Sequence, residues 1–303
     1  MTRRELLLLL AAAACSRPEK AAVVRSAATA APPPPKPPAC AGAELVTWEL
    51  DGVASRVAIL RPKNAGASRF PVLVALHGHG EAMKGPDRGC LGWPNDYALT
   101  RALERVCAPP LTKDDFEGLV TDAHLAEINA ELEKKPWRGL VVVCPYVPDL
   151  DLRKDDEVVD YGKFVAQKIL PRVLREMPAA SGAASTGIDG VSLGGAVALR
   201  AGLALPETFG AVGALQPAID DARVADIVAL ARAARAKRPE LALRLTTSED
   251  DYYRKPVHAL DDALREAGVA HDFGDLPGPH DYVFNRGAGA YEMLLWHARV
   301  LVA

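Results

Sequence analysis

Short apolar runs punctuate the chain at residues 70–76 (FPVLVAL), 139–144 (GLVVVC), 185–191, 209–215 and 241–247. The first two are apolar at successive positions, which suits central strands covered on both faces. Residues 44–51 and 55–61 flank an Asp51–Gly52 turn and predict an antiparallel pair at the start. Helical patterns fall between the runs, at 95–106, 114–134, 157–176, 194–204, 222–236 and 255–268. Strand, helix and strand in repeated alternation predict an α/β fold, with a mostly parallel central sheet and helices on both faces. Ligands of such sheets bind at the carboxyl ends of the strands.

The first 42 residues lack this rhythm. Residues 1–15 carry Arg3 and Arg4, an apolar run from Leu6 to Ala14, and then Cys15. This is the layout of an export signal. The small residues leading straight into Cys15 make it resemble a bacterial lipoprotein signal, in which the cysteine is lipidated. Residues 16–42 are rich in proline and alanine and suit an extended polyproline tether. The expected organisation is a signal peptide (1–15), a tether (16–42) and one folded domain (43–303). The expected location is the bacterial cell envelope, by a lipid on Cys15, facing the periplasm or at the outer membrane. A soluble periplasmic or secreted protein is the alternative.

With 36 basic and 39 acidic residues among 303, the net charge is −3. That balance offers no basic stripe for nucleic acid. The remaining cysteines are Cys40, Cys90, Cys107 and Cys144. Export implies an oxidising space. Cys90 and Cys107 bracket one loop-plus-helix segment and are the expected disulfide, with Cys144 a buried thiol. No C-x-x-C or His/Cys spacing points to zinc, and no metal is expected. The acidic stretch 149–160 lacks the D-x-[DN]-x-[DN]-G pattern of a calcium loop and reads as solvated.

Chemistry concentrates at three places. Residues 185–200 (STGIDGVSLGGAVALR) run an apolar strand into Gly190-Val191-Ser192-Leu193-Gly194 and out into a helix. This is the G-x-S-x-G elbow in its strand–turn–helix setting, with Ser192 as nucleophile and the Leu193 amide as an oxyanion donor. The run at 70–76 ends in His77-Gly78-His79-Gly80, where the amide of His79 or Gly80 would be the second donor. His77 reads as structural. Beyond the strand at 241–247 lie Glu249, Asp250 and Asp251. Asp251 is the expected acid and Asp250 the alternative. His280, on a loop after the last strand among Pro277, Gly278 and Pro279, is the expected base. His258, His271 and His297 read as packing or surface. Trp93, Asn95, Asp96 and Tyr97 are candidates for either pocket or core.

These residues resemble an α/β-hydrolase. More narrowly, the chain is similar to the esterase group that includes esterase D, feruloyl and enterochelin esterases and mycolyltransferases. The resemblance rests on HGHG, KILPRVLRE, GVSLGGAVALR, LPETFGAVGALQPA and LPGPHDY, and spans about residues 55–300. It implies ester hydrolysis through an acyl-enzyme by Ser192, Asp251 and His280, without a cofactor. The implied partner is a small-molecule or glycan- or polymer-linked ester, and the expected state is a monomer. Two departures stand out: the long segment 81–137, which reads as a cap, and LQPA at 215–218. The competing functions are an acyltransferase on the same site, a peptidase or thioesterase, and a non-catalytic envelope binding protein on a hydrolase scaffold.

Overall fold

The structure is a computed structural model that describes Cys40 and residues 42–303. The signal peptide, Cys15 and nearly all of the tether lie outside the described residues. One eight-stranded sheet runs in the order β1-β2-β4-β3-β5-β6-β7-β8. Its strands are β1 (Ala43–Glu49), β2 (Arg56–Pro62), β3 (Val72–Leu76), β4 (Val141–Pro145), β5 (Thr186–Gly190), β6 (Ala211–Leu215), β7 (Ala242–Asp250) and β8 (Asp272–Pro279). β2 pairs antiparallel with both β1 and β4, and every other pairing is parallel. β3, β4 and β6 are buried at every position, as their unbroken apolar sequences demand.

The main helices are α1 (Leu99–Val106), α2 (Asp122–Lys134), α3 (Asp155–Phe164), α4 (Leu170–Glu176), α5 (Leu193–Ala204), α6 (Val224–Lys237), α7 (Arg254–Glu266) and α8 (Ala290–Val300). α3 to α7 build one apolar layer with the sheet, around Val74, Val143, Ile188 and Val212. α1, α2 and α8 build the other, around Leu73, Ala75, Val142 and Leu215. Every residue of α5 from Leu193 to Leu203 is buried.

Two expectations are corrected. The helical pattern at 114–134 is broken: a short turn at Lys113–Phe116 ends in left-handed backbone at Glu117 (φ 53°) and Gly118 (φ 79°), and α2 begins only after Thr121 caps it. The disulfide joins Cys107 to Cys40, with Cα atoms 5.3 Å apart, and not to Cys90. Cys107 follows directly on α1, and α1 packs beside the start of β1, so that Gly42 meets Glu104. Cys90 instead turns inward, buried as a free thiol in the same apolar layer as Cys144.

Candidate active site

β5 delivers the chain to Ser192 at the centre of the sheet. Val191 N–H donates to Leu76 O (3.1 Å) and Ser192 N–H to Leu215 O (3.0 Å), so both neighbouring strands hold the turn. Ser192 is left-handed, with φ 56°. Such backbone costs on the order of 1–3 kcal/mol and persists only where its surroundings enforce it. The glycines are the enforcement. A Cβ on Gly190 would lie 2.5 Å from the Gly194 backbone, and one on Gly194 would lie 2.4 Å from Leu76 O. Ser192 is half-buried. The N–H of Leu193 belongs to the first turn of α5, where no intrahelical acceptor exists.

Two strands further on, β7 ends in the candidate acids. The β7–β8 register shifts between Ser248 and Asp250, the mark of a bulge. Beyond it the Asp250 side chain is exposed while Asp251 is buried. Asp251 Oδ1 accepts from His280 Nδ1 (2.6 Å) and from Tyr253 N–H (3.0 Å), and its Oδ2 accepts from Thr247 Oγ1 (2.7 Å). The structure therefore brings His280 to Asp251 and leaves Asp250 outside. When Nδ1–H donates to the carboxylate, Nε2 is the ring nitrogen left to accept a proton. Among the described residues no hydrogen bond joins Ser192 to His280. Such contacts commonly tighten only when substrate binds.

The loop after β3 completes the site. A Cβ on Gly78 would sit 3.6 Å from the Cβ of Ser192, so the loop lies directly over the serine. His79 and Gly80 open a short helix, His79–Ala82, and their amides fall in its first turn. The His79 side chain points outward, 3.2 Å from Asp149 at the exposed rim. His77 is buried: Val147 N–H donates to its Nε2 (2.9 Å), so Nδ1 carries the proton and donates to Gly78 O (2.9 Å). Burial lowers its pKa to about 4, and the ring is neutral at physiological pH.

Residues 149–295 match the sequence model of a family described as "Putative esterase". That match takes in just under half of the chain, and the sheet with its flanking helices has the α/β-hydrolase fold. The family match and the fold together support a carboxylic ester hydrolase. No curated protein matches it. Among solved structures, a ferulic acid esterase superposes with a TM-score of 0.64 at 17% identity, over 86% of this chain and 99% of its own. The S-formylglutathione hydrolase of Staphylococcus aureus gives 0.56 at 16% identity, over 85% and 98%. The feruloyl esterase module of Clostridium thermocellum, complexed with sinapinate, gives 0.63 at 12%, over 86% and 90%. At such low identity these likenesses carry the fold.

The esterase also holds residues that sequence reasoning passed over. Asp189 is fully buried on β5, where it accepts from Arg244 (2.8 Å), His297 Nε2 (2.9 Å) and Gly190 N–H (2.8 Å). Burial pushes its pKa up, but Arg244 and His297 outweigh that and hold it below the usual carboxylate range. The signal was a carboxylate inside an apolar strand. Gln216, at φ 41°, donates through Nε2 to Ser248 Oγ (2.6 Å) and Pro279 O (3.0 Å), bracing the segment that carries His280. LQPA therefore differs from the family pattern at a position that supports the histidine loop. Trp93 and Tyr97 are core residues and Asn95 is exposed. Glu81, directly after HGHG, is buried among tyrosines. Among the described residues no His/Cys/Asp/Glu cluster could hold a metal.

Proposed function

We propose that this esterase works through an acyl-enzyme on Ser192, with His280 as general base and Asp251 as the acid that orients it. The observation that most supports the reading is the pairing of a left-handed Ser192 at the end of β5 with the hydrogen bond from His280 to the buried Asp251 at the ends of β7 and β8. His280 Nε2 takes the Ser192 proton as Oγ attacks the ester carbonyl. Asp251 stabilises the imidazolium and fixes its tautomer. The N–H groups of Leu193 and of His79 or Gly80 receive the oxyanion, each worth about 3–4 kcal/mol in comparable sites. His280 then protonates the leaving alcohol, and water repeats the sequence on the acyl-enzyme.

The rim favours flat, apolar acyl or alcohol groups. Tyr252, 80% exposed, lies over His280 at 5.2 Å between ring centroids, and Tyr253 meets it edge-on at 5.6 Å. Met83, in the loop after β3, is also exposed. We propose aryl esters, small or polymer-linked, as the substrate class, in keeping with the ferulic acid esterase and the sinapinate complex among the structural neighbours. We further propose that Cys15 carries a lipid and residues 16–42 hold the enzyme off an envelope membrane.

The test is a set of purified variants assayed on p-nitrophenyl and feruloyl esters. Ser192→Ala should abolish turnover and fluorophosphonate labelling with the fold intact. Asp251→Asn should lower kcat by roughly 10⁴-fold, and Asp250→Asn by less than about threefold. Residual turnover in Ser192→Ala, or a larger loss for Asp250→Asn, would overturn the assignment.

A further inference from the structure

We infer that Glu81 is a positioning residue that locks the oxyanion loop to the histidine loop. The inference rests on Ser192 being the nucleophile. Glu81 follows Gly80 in the loop over the serine, and only 1% of it is exposed. One carboxylate oxygen, Oε2, accepts from Tyr97 OH, and that phenol oxygen in turn accepts from Gly78 N–H (3.3 Å). The other, Oε1, accepts from Tyr282 OH at 2.6 Å and lies 3.4 Å from Lys84 Nζ. Lys84 also donates to Asp96 Oδ2 (2.9 Å), which places it between two acids.

One buried carboxylate thus ties together three segments: the loop after β3, the turn carrying Tyr97, and the segment that begins at His280. Tyr282 stands two residues past the histidine, and its hydroxyl lies 3.1 Å from where a Gly80 Cβ would be. The chain Glu81–Tyr97–Gly78 fixes the peptide that precedes the His79 and Gly80 amides. A Cβ on Gly78 would be 3.2 Å from Tyr97 OH and 3.6 Å from Ser192 Cβ, so any slack there moves the donors relative to the nucleophile.

The residue type is dictated by hydrogen-bond arithmetic. A carboxylate accepts at both oxygens and can take two phenol donors at once. Glutamine offers one acceptor oxygen and one donor nitrogen, so one phenol must accept from the amide and leave its own O–H unpaired. For Tyr97 that orphan would be buried, and the Gly78 anchor would loosen to relieve it. Glu81 makes no hydrogen bond to Ser192 or His280, so its effect passes through the loops it holds. Misplacing an oxyanion donor by about 1 Å costs on the order of 10²-fold in rate.

The experiment compares wild type with Glu81→Gln, Glu81→Asp, Tyr97→Phe and Tyr282→Phe. Each is assayed for kcat and KM on p-nitrophenyl acetate, for inhibition by phenylboronic acid, and for thermal stability. Phenylboronic acid forms a tetrahedral adduct on the serine and so reports on the oxyanion donors. Glu81→Gln should lower kcat about 10- to 100-fold with KM within about threefold, and weaken phenylboronate inhibition by a similar factor. Glu81→Asp should recover part of that loss. Tyr282→Phe, exposed enough to keep the fold, should lower kcat about fivefold and add little on top of Glu81→Gln. Should Glu81→Gln not fold, the two Tyr→Phe variants decide by the same criteria. A folded variant set that melts at lower temperature but keeps wild-type kcat and phenylboronate affinity would overturn the inference. Failure of wild type itself to label with a fluorophosphonate would instead refute the Ser192 reading beneath it.

Discussion

His77 should make this enzyme lose stability in mild acid, in a window set by one ring. Its pKa is about 4 in the folded chain against 6.5 for the free side chain, because burial disfavours the cation and Nε2 is committed to the Val147 N–H. The unfolded chain therefore binds the proton more readily. The associated stability is fully present above pH 6.5 and declines as pH falls towards 4. Linkage with these two values gives a loss of about 2 kcal/mol at pH 5, approaching about 3 kcal/mol near pH 4. Urea unfolding of wild type and His77→Gln at pH 7.5, 6 and 5 isolates the effect. Glutamine can still accept from Val147 but leaves Gly78 O without its donor, so the variant starts out weaker. It also has nothing to titrate, so the gap between the two proteins should narrow by about 2 kcal/mol between pH 7.5 and 5. His297, also lowered by burial, and His124, raised by Glu292, titrate in both proteins and cancel in the difference. A gap constant to within about 0.5 kcal/mol across that range would refute the assignment of His77 as a buried neutral ring. If the gap narrows as expected, acid acts through His77 on the loop that carries the proposed oxyanion donors.

Further outcomes follow from the cysteines. The Cys40–Cys107 bridge closes a span of 67 residues, and chain entropy alone assigns it about 4 kcal/mol. Cys107→Ser should lower the melting temperature under oxidising conditions, and dithiothreitol should lower wild type to match. In the domain lacking Cys15, mass spectrometry after alkylation should find Cys90 and Cys144 modified only on denaturation. A Cys90–Cys107 bridge in that digest would contradict the structure. In cells, full-length protein should partition into detergent, and Cys15→Ser should move it to the aqueous phase. Unchanged partitioning would sink the lipid anchor.

The parts of the fold read most directly from the chain are those whose causes are local. At Gly190-Val191-Ser192-Leu193-Gly194 the glycines are demanded by contacts within the turn and with the end of β3, so residue type and spacing expose the geometry. His280 is singled out in the sequence by the turn residues that precede it on the last strand. Choosing Asp251 over Asp250 needed more, since the bulge in β7 decides which carboxylate turns inward. Cys40 pairs with Cys107 because the sheet places the start of β1 beside α1, a long-range fact with no trace in local pattern. The break at Glu117 and Gly118 was hidden within a stretch of otherwise helical composition. Glu81 escaped because its partners lie 16 and 201 residues away, and a lone carboxylate beside a glycine loop carries no periodic signature.

The burial of α5 has a consequence for how this enzyme can change. Its residues from Leu193 to Leu203 have no outward face, so a large-to-small change at Leu199 would cost on the order of 2–5 kcal/mol wherever the substrate sits. The side chains around the mouth, Asp149 and Tyr252, are exposed on loops and support little of the interior. Durability and selectivity are thus encoded in different residues. A lineage, or a laboratory library, can vary the mouth to suit a new ester while the helix behind Ser192 stays unaltered.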